Sequence, residues 1–267
     1  MLDSGLIANI RESGLAQGPS GVAERTRALA DMGFPTKGKA EYAVLASCFL
    51  PSLVPSSMKV FRVLLDHYGI DYSLLPNEHC CGNLVLRQAA RDKTGAEMKE
   101  ADALTAEFLG KNLLQARRIG ATKLIAFCVG CDLVYARIRE SVPEEILWYP
   151  TLLARLFKGG RLEMEMGYYA GCHYHYRTLN RSLPDLGSAL EVLSRIDGLR
   201  LNHLDNRLCC TRPQQLEALL GTIKSRAVLT PCGGCAMGLQ QALGDKSDCR
   251  VVMLPEVVWA AISGQPL

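Results

Sequence analysis

Residues 123–131, KLIAFCVGC, run an apolar stretch of strand length straight into a CxxC pair, and residues 226–235, RAVLTPCGGC, do so again. A short aliphatic run bounded by polar and glycine residues reads as a strand buried on both faces of a parallel sheet. Here it delivers Cys128 in the first case and Cys232 in the second. Upstream of Cys128, Tyr42–Ala46 reads as a strand ending near Cys48, and Tyr72–Leu75 as a strand ending before Cys80-Cys81-Gly82. Between them, Ser57–Tyr68 is helical, with Val60, Val63, Leu64 and Tyr68 on one face and Gly69 as a stop. Ala96–Ile119 is a long helix with Leu104, Phe108, Leu113 and Ala116 on its apolar side, and Leu133–Ile138 is a short one.

The second half repeats this grammar. Met166–Ala170 reads as a strand ending near Cys172, and Leu201–Leu204 as one before Cys209-Cys210. Helices are expected at Leu186–Ile196, Pro213–Ile223 and Met237–Leu243, with a last strand at Val251–Leu254. Strand and helix in alternation signal a parallel sheet covered by helices. The expected fold is therefore α/β: two tandem Rossmann-like domains, each a small parallel sheet flanked by helices, related by internal duplication. The expected boundaries are 41–160 and 161–267. Residues 1–40, interrupted by six glycines, read as a poorly packed extension that is partly disordered or wraps a partner, with a short helix at Val22–Met32.

Bulk properties remove several classes. Charged residues make up 21% of the 267 and the net charge is +3, too mild to argue for nucleic acid. The longest apolar runs fall far short of the ~20 residues of a spanning helix. No basic start precedes an apolar stretch, so a cytoplasmic location is expected. There is no Walker motif and no GxGxxG after a strand.

Eleven cysteines in such a chain do not read as a disulfide framework. Ten form two copies of one pattern: Cys48, Cys80, Cys81, Cys128 and Cys131, then Cys172, Cys209, Cys210, Cys232 and Cys235. All follow expected strands, and ligands of open α/β sheets bind beyond the carboxyl ends of the strands. The second cysteine of each CxxC enters a helix, whose N-terminal dipole and free N–H groups favour thiolate. Five thiols exceed the four that an ordinary cubane takes, which points to an extended iron–sulfur cluster. Gly82 is read as leaving room for a cluster or a substrate sulfur. A lone CxxC is more often zinc or a redox dithiol, and zinc in the second half is the minor alternative. Cys249 repeats in no pattern and is read as structural.

The order Cys48…Cys80-Cys81-Gly82…Cys128-Val129-Gly130-Cys131 resembles the cysteine-rich CCG domain, and the tandem pair resembles the twin-CCG subunit of heterodisulfide reductase. The resemblance covers residues 41–262. It implies two noncubane [4Fe-4S] clusters, the first held by Cys48, Cys80, Cys81, Cys128 and Cys131 and the second by Cys172, Cys209, Cys210, Cys232 and Cys235. It implies an oxidoreductase that reduces or forms a disulfide on a small thiol substrate. Its partners would be a ferredoxin-like iron–sulfur subunit, which relays electrons, and a flavin subunit that feeds it. No ferredoxin-type cysteine run in this chain replaces them. The alternative is an electron-transfer iron–sulfur subunit of a hydroxy-acid or succinate dehydrogenase-type complex, without its own substrate site. The second copy departs from the pattern at Thr211, and 21 residues separate its pair from its CxxC, against 46 in the first.

The run Cys172-His173-Tyr174-His175-Tyr176-Arg177 also follows a strand. His173 and His175 are candidate proton donors to a leaving thiolate. Arg177 is a candidate anion contact. His79 and Asn83 flank the first pair as candidate donors to cluster sulfur, whereas Trp148 and Tyr149 read as core or interface.

Overall fold

The computed structural model describes residues 1–91, 95–244 and 248–267. In the first half, α1 (Ser4–Ser13) and α2 (Pro19–Asp31) precede β1 (Tyr42–Leu45). Helices α3 (Leu50–Leu53) and α4 (Pro55–His67) lead to β2 (Tyr72–Leu74), and α5 (Asn83–Ala89) and α6 (Ala96–Arg118) lead to β3 (Lys123–Ala126). Then α7 (Val129–Tyr135) precedes β4 (Glu145–Trp148). In the second half, α8 (Tyr149–Leu156) precedes β5 (Gly160–Tyr168), and a π turn (Tyr176–Asn180) and α9 (Leu186–Ser194) lead to β6 (Ile196–His203). Next come α10 (Pro213–Thr222), β7 (Ala227–Thr230), α11 (Gly233–Leu243), β8 (Arg250–Met253) and α12 (Leu254–Ser263).

The strands make two four-stranded parallel sheets of identical plan, β2-β1-β3-β4 and β6-β5-β7-β8. The fold is α/β, as the alternation of strand and helix predicts. In each sheet the chain starts on an inner strand, steps outward, and returns past its start. The order therefore reverses between β1 and β3, and between β5 and β7. That reversal opens a crevice beyond the strand ends. Cys48 and Cys128 follow β1 and β3, and Cys172 and Cys232 follow β5 and β7.

Local chemistry explains the elements. β1, β3 and β7 are aliphatic and almost wholly buried, as parallel strands covered on both faces are. α4 starts with Pro55 in its first turn, where a missing N–H costs nothing. α6 carries Glu97 in its first turn and Arg117 and Arg118 in its last, matching the helix dipole. β5 begins at Gly160, ahead of the expected Met166. Residues 161–165 alternate exposed and half-buried, a period-two signal that polar residues mask.

The chain divides into two compact units, neither continuous in sequence. One comprises residues 1–52, 69–148 and 175–184, and the other residues 53–68, 149–174 and 185–267. The first unit packs Ile10, Val85, Leu86, Phe108 and Leu124 around its sheet, each fully buried. Burial of such a side chain contributes ~1.5–3 kcal/mol. In the second unit α4 lies against α12: Ser57 Oγ donates to Glu256 Oε2 at 2.5 Å, and the Phe61 ring meets Tyr149 edge-on at 5.7 Å. Trp148 and Tyr149 are core residues of their respective units.

Residues 1–40 depart from the expectation of a poorly packed arm. They form α1 and α2, and Leu2, Leu6, Ile10, Leu15 and Leu29 are buried. The glycines punctuate these helices: Gly14 is a left-handed C-cap of α1, and Gly18 precedes Pro19 of α2.

Candidate functional site

Three strand ends converge in the first unit. The turn after β1 carries Cys48, the turn after β2 leads to Cys80 and Cys81, and Cys128 caps α7 with Cys131 in its first turn. The five sulfurs lie in one interacting row, Cys48 beside Cys80, Cys80 beside Cys81, Cys81 beside Cys131, and Cys131 beside Cys128, each shifting its neighbour's proton affinity. Cys48, Cys80, Cys81 and Cys131 are buried, and Cys128 is half-buried.

The row is electrostatically uneven. Hydrogen bonds from Cys131 and Cys80 lower Cys81 to about 6. Cys131 likewise lowers Cys128 to about 7, helped by the Cys131 and Gly130 amides at the start of α7. The Gly130 N–H lies 3.3 Å from Cys128 Sγ. Cys48 is pushed well above the ordinary thiol range by its bond to Cys80 and by burial. Cys48, Cys80 and Cys131 are raised and hold their protons, while Cys81 and Cys128 are lowered, leaving thiolate available near neutrality. Thiolate is the form that binds iron.

Gly130 lets the CxxC turn approach the end of the Asn83 side chain: a Cβ there would sit 2.7 Å from Asn83 Nδ2 and would push that amide aside. The side-chain oxygen of Asn83 is buried with no hydrogen-bond partner. Its amide nitrogen faces the CxxC turn at Gly130. Gly82 has a different role from the one expected. Its φ is 83°, and a Cβ would meet Thr105 Cγ2 at 2.4 Å. The space beside it is filled by α6, so the glycine serves backbone turning and packing rather than room for a ligand. His79 turns away from the sulfurs: its Nδ1 pairs with the Asn77 carbonyl at 2.9 Å.

The second unit repeats the arrangement less tightly. Cys172 lies beside Cys209, and Cys210 and Cys232 both lie beside Cys235, all as free thiols. Cys172 and Cys209 are half-buried, the other three buried. Burial raises Cys172 to about 11, while the bond from Cys235, followed by that from Tyr169, lowers Cys210. The Tyr169 hydroxyl also donates to the Leu208 carbonyl at 2.6 Å. Cys232 caps α11, accepting from the Cys235 N–H at 3.4 Å. Thr211 places its hydroxyl 3.2 Å from Cys209 Sγ. One helix, α10, precedes β7 between Cys210 and Cys232, where the first unit has α5 and α6 before β3.

His173 belongs to the second unit and His175 to the first. His173 is buried with φ of 46°, and its Nε2 faces the Ala170 carbonyl, which fixes that nitrogen as a donor. His175 is half-buried just before the π turn, and Arg177 is exposed. Cys249 is half-buried, with its thiol on the Arg250 carbonyl at 3.9 Å. Among the described residues no group of three or more His, Cys, Asp or Glu is set out around a single metal ion. The sulfurs are linked in rows instead.

Several residues around the first row carry no sequence signal. Asn112 on α6 brackets His79, taking its N–H at 2.7 Å and donating to its carbonyl at 2.8 Å. Asp132, buried beside Cys131, accepts from Tyr176 and Arg139. Only the Asp directly after CxxC hinted at a role, since acids favour the first helical turn.

Residues 42–135 match the family model described as CCG, cysteine-rich domain. That span holds all five cysteines of the first row and supports assignment of this segment to the CCG family. The family points to iron–sulfur binding and an oxidoreductase-type function. A search of curated proteins found no match. Among the described residues no helix is long and apolar enough to cross a membrane.

Proposed function

We propose that the chain binds two iron–sulfur clusters of noncubane [4Fe-4S] type and is the catalytic subunit of a heterodisulfide-reductase-like complex. The observation that carries this reading is the gathering of five thiols from three strand ends, once in each unit. The first cluster is assigned to Cys48, Cys80, Cys81, Cys128 and Cys131, and the second to Cys172, Cys209, Cys210, Cys232 and Cys235. The donor set fits: all ligands are thiols, and two of the first row are lowered to about 6 and about 7. When bound, each cluster supplies one electron and an iron face for sulfur.

Reduction of a disulfide takes two electrons and two protons and yields two thiols. His173 and His175 are proposed to hold the protons for the leaving sulfurs. Electrons arrive from a ferredoxin-like subunit fed by a flavin subunit, in the cytoplasm. A second reading, an electron relay without its own substrate site, is favoured at the first row by its burial. There Cys48, Cys80, Cys81 and Cys131 are each no more than 5% exposed.

Iron and acid-labile sulfide analysis of the anaerobically reconstituted chain tests the first claim. About eight irons are expected for two clusters, and about four would refute the second. Zinc alone would refute both. Adding a panel of disulfides to the reduced protein then separates the two readings. A new paramagnetic signal marks a sulfur-accepting site, and silence across the panel leaves the relay.

A further inference from the structure

The cysteine turns of the first row are held by more than their own segment. The Cys80 N–H donates to the Gly14 carbonyl at 2.6 Å. The Ala16 backbone lies against the Cys48 sulfur and favours its thiolate. Gln17 Nε2 donates to the Cys48 carbonyl at 2.7 Å. Arg25 on α2 reaches further in: its Nε donates to the Ser47 carbonyl at 2.7 Å, and its terminal nitrogen pairs with Glu78. The Glu78 carboxylate in turn accepts from the Ala46 and Ser47 amides, both at 2.9 Å. All of these donors and acceptors lie in one unit. Residues 14–25 nevertheless fall outside the segment that matches the CCG family.

Burial of α1 is accounted for by its apolar side chains. Gln17 and Arg25 are not, because they aim polar groups at the loop carbonyls. Arg25 and Glu78 are 8% and 6% exposed. A buried ion pair adds little net stability over an apolar replacement, because desolvation offsets the attraction. What it does fix is position. It ties the turn after β1 to the turn after β2 and stabilises Ser47 at φ of 79°, a backbone region unfavourable to a non-glycine residue. The Ser47 side chain in turn bonds Cys128. One arginine therefore connects the turns after β1 and β2, and the Ser47 it holds lies beside Cys128.

We propose that residues 14–25, through Ala16, Gln17 and Arg25, are a built-in part of the first cluster site, positioning Cys48 and Cys80 and favouring the Cys48 thiolate. The inference rests on the reading that this row holds a cluster. Arg25 and Gln17 are positioning residues, acting through Ser47, Glu78 and Cys48. Hydrogen bonds to ligand sulfur tune a cluster's potential, so disturbing the arm must move that potential as well as the loading.

The test uses the full chain reconstituted anaerobically, as wild type, Arg25→Gln, Arg25→Lys and Gln17→Ala. Iron content, paramagnetic spectrum and midpoint potentials are measured, and Cys81→Ser identifies which signal belongs to the first row. Arg25→Gln is expected to lose about four of about eight irons, or to keep them with a shifted first-row signal and potential. Arg25→Lys recovers part of that change. Gln17→Ala retains iron with a shifted first-row spectrum, and it decides the matter if Arg25→Gln does not fold. Wild-type iron, spectrum and potential in Gln17→Ala and in any folded Arg25→Gln would overturn the inference alone. A wild-type chain that takes up no iron and sulfide would overturn the cluster reading, and this inference with it.

Discussion

Replacing Gly82 with alanine separates two roles for the glycine that follows the first cysteine pair. The residue sits at φ of 83° and ψ of 7°, directly before α5. A side chain in that left-handed region costs about 1–2 kcal/mol. The new Cβ would also lie 2.4 Å from Thr105 Cγ2 and 3.4 Å from the Phe108 ring. Thr105 and Phe108 are 3% and 0% exposed, so neither can swing into solvent. Overpacking of this kind adds about 1–3 kcal/mol. The expected loss is therefore about 2–5 kcal/mol, or a melting point lower by roughly 5–20 °C. Thermal and guanidinium unfolding of the metal-free chain, followed by circular dichroism, reads it directly. Thr105→Ser deletes Cγ2 and should return the packing share while leaving the backbone share. A Gly82→Ala chain with the wild-type midpoint would refute the packing argument. Retained stability with lost cluster binding would instead restore the reading in which Gly82 makes room for a ligand.

Three further outcomes are expected. Tyr149→Phe removes a fully buried hydroxyl that donates to the Pro231 carbonyl at 2.8 Å. It should cost about 1–3 kcal/mol in a denaturant titration, and an unchanged midpoint would show that the carbonyl finds another donor. In the iron-free chain at pH 7, Cys128 sits near its lowered value of about 7 while burial raises Cys249. Iodoacetamide mapping by mass spectrometry should find Cys128 modified ahead of Cys249, the more so as pH rises through 7, and protected once iron and sulfide are loaded; faster labelling of Cys249 sinks the argument. Cys81→Ser should lower iron to about half, and Cys249→Ser should leave it unchanged; equal losses from both would contradict the ligand assignment.

The alternation of strand and helix was legible because its signals are local, whereas the order of the strands in each sheet comes from the fold. Aliphatic runs ending in cysteine, with helical periodicity between them, specify a parallel sheet with the cysteines at one end. The two copies of the pattern give two sheets of the same order. Less legible were β4 and α8, where Glu145–Trp148 runs into Tyr149 with no glycine or proline at the join except Pro150 inside the helix. Glycine frequency in the N-terminal arm suggests a looseness that its buried α1 and α2 do not have. Its glycines are caps and joints, and its few apolar residues are spaced to bury one side of α1 and α2.

The sequence by itself determined which ten thiols belong together and that each set lies beyond the ends of parallel strands. Covalent spacing and periodicity are enough for that, because a strand end is a point that local sequence defines. Tertiary structure alone decided what surrounds those thiols. Thr105 and Phe108 fill the space beside Gly82, Asn112 brackets His79, and Arg25 reaches Ser47 and Glu78 from a helix far upstream. These contacts join residues separated by between 22 and 53 positions, and no local pattern marks a partner that only folding brings near.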